Sequence, residues 1–180
     1  MRLPLLFLLL LLLTACGDAV EIQSPSVATI DPVVGEGIVQ VDAPAPTFRL
    51  PTTSGGVVEL ESLRGKVVIV NFWATWCGPC RVEMPELQAV YEAHRDAGLE
   101  IIAVEAQSSG SAEESTTFLQ EAGVTFPSVR DEEGLMELHY IRRPAWPTTV
   151  IIDQEGIVRF VQLGATTREM IEAQLDELGL

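Results

Sequence analysis

From Val67 to Trp73 the chain reads VVIVNFW, apolar and β-branched at nearly every position. A run without polar alternation is expected of a strand covered on both faces. EIIAVEA, residues 100–106, reads the same way. Between them the apolar positions change period: from Pro79 to about Arg95, Leu87, Val90, Tyr91 and His94 share one helical stripe. Proline suits the first turn of that helix, whereas Pro85 inside it is expected to kink it. SAEESTTFLQEAG opens on a capping box, Ser111 with Glu114, and stops at Gly123. FPSVRD reads as a short strand or extended loop and GLMELHYI as a short helix. TTVIID and IVRFVQL flank a QEG turn and predict an antiparallel hairpin. A last helix is predicted from Thr166, with Glu169 completing a second capping box and Ile171, Leu175 and Leu178 facing inward. Upstream, TFRLPTTSGGVVEL gives two extended runs around Gly-Gly, and ESLRGK a helical turn closed by Gly65. Strand, helix, strand, helix, hairpin and helix add up to a three-layer α/β domain.

The pattern breaks at the N-terminus. MRLPLLFLLLLLLTAC has one basic residue, an apolar stretch from Leu3 to Leu13, small residues and then Cys16. The stretch is short of the roughly 20 residues a spanning helix needs, so it predicts a signal peptide over residues 1–15. LTAC resembles the bacterial lipoprotein box, which makes Cys16 the expected lipid attachment point. Residues 16–45 then read as a lipidated cysteine and a flexible acidic tether, with prolines and neither Lys nor Arg, and residues 46–180 as the folded domain. Lipidation also resolves the cysteine count, since the third cysteine would otherwise be odd in an exported chain.

Charge narrows the partners. With 26 Asp and Glu against 11 Lys and Arg, the chain lacks the basic surface that phosphates recruit, so no nucleic acid is expected. Anionic lipid is excluded as a charge partner for the same reason, and any membrane attachment must run through the N-terminal lipid.

The chemistry is concentrated at WCGPC. A structural zinc site needs four ligands, and neither a second CxxC nor a close histidine pair is present; His94 and His139 are far apart in sequence. Haem attachment requires His after the second cysteine, where this chain has Arg81. A staple over so short a loop constrains little of the unfolded chain. Redox chemistry fits: the pair follows a buried strand and opens a helix, so Cys77 stands where unpaired N–H groups and the helix dipole favour thiolate. Cys77 is therefore the expected nucleophile, and Cys80, one turn inside, the resolving thiol. Gly78 and Pro79 tune the closed ring. Glu83, three residues beyond Cys80 and roughly 4.5 Å further along the helix axis, is the expected acceptor of the Cys80 proton; its bland alternative is a solvent-facing helix glutamate.

WCGPC after VVIVNFWAT, followed by RVEMPEL and WPTTVIIDQEG, resembles the thioredoxin superfamily. More narrowly the chain is similar, over about residues 44–178, to its extracytoplasmic, membrane-tethered branch, which includes the reductases of cytochrome c maturation. The resemblance implies a thioredoxin-like α/β/α fold with a central mixed sheet, and APTFRLPTTSGGVVELESLRGK matches that branch's added N-terminal hairpin. It implies a redox-active Cys77–Cys80 disulfide with no further cofactor and no metal, acting as a protein disulfide reductase. It also implies a cis-Pro147 facing the disulfide, whose neighbouring backbone pairs with substrate, and it points to Glu83, since the acid of CRVEMP recurs in the branch. The surface met by substrate then comprises Trp76, Gly78, Pro79, Trp146 and Pro147, with Trp76 shielding the disulfide edge. Implied partners are protein disulfides or thiols, apocytochrome c among them, and a membrane thiol donor that recharges the pair. Two positions depart from the pattern: Asn71 stands where thioredoxin has a buried Asp, and Trp146 where the family usually has a smaller residue, so that Trp146 reads equally as a boundary aromatic or as a substrate contact. The competing functions are a thiol peroxidase, against which Ala74 replaces the Thr of that pattern, and a copper(I) metallochaperone holding the ion through the two thiolates.

Overall fold

The computed structural model describes residues 33–180. The signal peptide and Cys16 lie outside the described residues. Strands β1 (Val33–Val34), β2 (Phe48–Pro51) and β3 (Val57–Glu59) form a small antiparallel sheet in that order. The main sheet comprises β4 (Val67–Trp73), β5 (Leu99–Glu105), β6 (Ser128–Arg130), β7 (Thr148–Ile152) and β8 (Val158–Leu163), ordered β6-β5-β4-β7-β8. β4, β5 and β6 run parallel, while β7 and β8 are antiparallel to their neighbours, so the sheet is mixed. The helices are α1 (Gly78–His94), α2 (Ala112–Glu121), α3 (Leu135–Tyr140) and α4 (Arg168–Glu177).

The pleat of β4 sorts the layers. Val67, Ile69 and Trp73 pack on one face with Met84, Leu87 and Val90 of α1, Phe118 of α2, and Ile171 and Leu175 of α4. Val68, Val70 and Phe72 face the other way, onto Met136 and Tyr140 of α3 and Phe48 and Leu50 of the small sheet. The expected three layers are present, with β2 and β3 as the added hairpin. Helix α1 continues through Pro85.

Two expectations are corrected. Residues 33–45, read as the end of a mobile tether, are on the domain: β1 pairs with β2, Val39 is buried and donates its N–H to the His139 carbonyl, and Pro44 bridges to Ile157. Val34 and Val39 sufficed, because they meet an existing apolar surface rather than having to build one. The second capping box is also displaced. Thr167, not Thr166, caps α4, its hydroxyl accepting from the Met170 N–H, while the Thr166 N–H donates to Glu83.

Candidate active site

Cys77 and Cys80 form a disulfide at the start of α1. Cys77 is the N-cap residue, extended in backbone, and its sulfur accepts from the Cys80 N–H at 3.1 Å. One of the helix's four unpaired donors is thus aimed at this sulfur, which stabilises negative charge there once the disulfide opens. Both cysteines are buried, at 3% and 1% exposure. The cover comes from aromatic rings: Trp146 packs against the cluster that holds both cysteines and meets Trp76 edge to face, centroids 5.6 Å apart. Trp76 is nevertheless 57% exposed, the only large aromatic side chain among the described residues so open. The Trp146–Pro147 peptide is cis. A Cβ built on Gly78 would meet nothing within 4 Å, so glycine there is not demanded by packing.

Glu83 is not a surface glutamate. It is 2% exposed, with Oε1 accepting from Asn71 Nδ2 at 2.9 Å and Thr149 Oγ1 at 3.0 Å, and Oε2 accepting from the Thr166 N–H at 3.2 Å. Asn71 and Thr149 are register partners on β4 and β7, pointing to the α1 face. Burial pushes the Glu83 carboxyl up to about 7, against the hydrogen bonds from Thr149, Thr166 and Asn71, which favour the carboxylate. A pocket of about 480 Å³ beside it is lined by Pro79, Val82, Glu83, Glu86 and residues 165–169. Thr149 and Thr166 were not anticipated as members of the site, and Asn71 was singled out only as a departure from the family pattern. The signal was a lone amide in an otherwise apolar strand, since a buried polar side chain requires a partner.

A second group, also not anticipated, holds the opposite wall. In the 107–110 loop, the Ser108 carbonyl accepts from Trp76 Nε1, Ser109 Oγ accepts from the Thr75 N–H, and the Gly110 N–H donates to Thr75 Oγ1. Arg130 fastens that loop from behind, donating to the Gly110 carbonyl and, through its other terminal nitrogen, to both oxygens of buried Glu105. Among the described residues, no group of three or more His, Cys, Asp or Glu side chains is placed to hold a metal ion. No helix among them is long and apolar enough to cross a membrane.

Comparison with known proteins agrees with this geometry. Residues 41–161 match the AhpC/TSA family. The thiol-disulfide oxidoreductase ResA of Oceanobacillus iheyensis is 37% identical over 145 residues, 78% of this chain and 74% of that protein. Among solved structures, a thiol:disulfide interchange protein of the thioredoxin family from Chlorobium tepidum superposes with a TM-score of 0.69 at 25% identity, covering 78% of this chain and 98% of its own. The exposed lipoprotein thioredoxin Etrx1 of Streptococcus pneumoniae gives 0.63 at 25% identity, over 73% and 99%.

Proposed function

We propose a reductive role outside the cytoplasm for this chain, which belongs to the AhpC/TSA family and is a thiol-disulfide oxidoreductase. The observation that carries the reading is a disulfide capping α1 with a buried carboxyl, held near neutrality, three residues further along the same helix. In the reduced protein the Cys77 thiolate attacks a substrate disulfide, forming a mixed disulfide and releasing one substrate thiolate. Cys80 then loses its proton and attacks the Cys77 sulfur, releasing the second substrate thiolate and closing Cys77–Cys80. Two electrons pass from the dithiol to the substrate, and the closed pair seen here is the oxidised end of the cycle. Glu83 takes the Cys80 proton. Its carboxylate form, populated above about pH 7, is the competent base. No cofactor beyond the two cysteines enters any step.

The substrates are protein disulfides, with apocytochrome c as the one the sequence resemblance favours, and a membrane thiol donor returns the pair to the dithiol. Lipid on Cys16 holds the protein at the membrane, a reading supported by LTAC and by the lipoprotein among its structural neighbours. The direction of exchange is tested by equilibrating the pair against glutathione and dithiothreitol buffers. A reductase should poise near or below the roughly −270 mV of thioredoxin, and a value near the roughly −120 mV of DsbA would reverse the assignment. Hydrogen peroxide consumption is expected to be negligible without an added disulfide, because Ala74 leaves no hydroxyl at the peroxidase position.

A further inference from the structure

We infer that Arg142 and Arg143, with the apolar groove beside them, form a docking site for an acidic stretch of the substrate polypeptide. This rests on the disulfide-exchange reading above and names a recognition element for it.

The first observation is the pairing of cations. Of the described Lys and Arg side chains, seven lie within 4.0 Å of a carboxylate. Arg64 donates to the Glu155 carbonyl instead. Arg142 and Arg143 are the remaining two, adjacent and exposed, with no hydrogen bond or ion pair to another described residue. In a chain with 26 acids to 11 bases, carboxylates are plentiful, and two neighbouring arginines without one among the described residues leave a local positive spot on an otherwise acidic surface.

The second observation is position. The arginines sit in the loop that leads from α3 directly into Trp146 and cis-Pro147, the turn against which substrate is placed. Arg142 also lines a groove of about 240 Å³ with Tyr140, Val41, Val161 and Leu163. That groove reaches the same turn: Leu163 is the register partner of Thr148, and the next residue, Gly164, donates its N–H to the Pro147 carbonyl. Val41 and Leu163 are 46% and 42% exposed, so the groove floor is apolar and open. A polypeptide crossing Trp146–Pro147 and continuing along β8 therefore meets an apolar floor and two guanidinium forks within a few residues of its reacting cysteine. The matching ligand is an apolar side chain next to a carboxylate, which arginine grips in bidentate geometry. Rim charges of this kind act on the encounter and its register more than on overall affinity.

The test uses three disulfide peptides identical except for Glu, Gln or Lys beside a leucine near the cysteine. With reduced protein at low salt, the Glu peptide should react about fivefold faster than the Gln peptide, and the Lys peptide more slowly still. The Glu-to-Gln ratio should collapse toward one in R142S/R143S and in 1 M salt, where the Debye length is about 3 Å, and should fall only in part in R142K/R143K, which keeps the charges but loses the bidentate fork. A ratio unchanged in R142S/R143S, or a fastest reaction with the Lys peptide as the net charge of −15 alone would give, overturns the inference. Serine-for-cysteine versions of the peptides, followed by tryptophan fluorescence, separate docking from chemistry. Glu-selective binding without any exchange would sink the reductase reading and leave the groove standing; equal binding of all three would remove the groove.

Discussion

Glu83 is where a single residue's environment decides the chemistry. A glutamate three positions after a cysteine was readable as a proton acceptor from helix geometry, with a place on the solvent side as the less favoured alternative. What holds it inside is Asn71 and Thr149 reaching down from the sheet, contacts from residues 12 and 66 positions away from Glu83 that no local pattern encodes. Replacing Glu83 with Gln should leave the attack by Cys77 intact, slow resolution by Cys80, and abolish the rise in the resolution rate through about pH 7; stopped-flow exchange across pH separates the two steps. The same shift has a stability consequence. Because the folded carboxyl titrates above its unfolded value of 4.5, at about 7, the wild type should lose stability relative to Glu83→Gln as pH rises through that window. A shift of this size corresponds to a loss of about 3 kcal/mol, with no further change above or below the window. Denaturant unfolding at several pH values checks this; a pH-independent difference would show that Glu83 titrates normally.

At the scale of elements, the strands and long helices were legible because their burial is written in the residues themselves: VVIVNFW, short and β-branched, reads as a covered strand, and Ser111 with Glu114 does form a reciprocal cap on α2. The start of α4 was misplaced by one residue because consecutive threonines offer two capping registers; Thr167 takes the cap while the Thr166 N–H goes to Glu83. The clamp on the 107–110 loop was illegible for a similar reason, since Arg130, Glu105 and Gly110 come from three separate segments. It should be sensitive to substitution. Arg130→Met leaves the Glu105 carboxylate buried without its cation, which costs roughly 3–5 kcal/mol, whereas pairing it with Glu105→Gln should recover much of that. Both variants free the Gly110 carbonyl and should alter the Trp76 fluorescence, through the loop that accepts its indole N–H. Unchanged stability of Arg130→Met in thermal unfolding would mean the ion pair is not a structural tie.

For the molecule as a whole, the family resemblance was carried by motifs and held across the domain, while the domain boundary was drawn too late. The stretch 33–45 has no period long enough to announce an element, yet it closes onto α3 and β8, with Asp42 paired to Arg159. A chain beginning at residue 46 should accordingly be less stable than one beginning at residue 33 by at least about 2 kcal/mol, the worth of burying Val39 alone. At the other end, wild-type protein should partition into the detergent phase and Cys16→Ser into the aqueous phase, as expected if acyl chains on Cys16 supply the anchor. The central claim, that this domain works by attack of Cys77 and resolution by Cys80, is met most directly by intact-mass spectrometry of the reduced protein mixed with a disulfide peptide. Cys80→Ser should accumulate one peptide per chain on Cys77 while wild type passes through to its closed disulfide; an adduct that instead builds up on Cys80 in Cys77→Ser at the same rate would contradict the account.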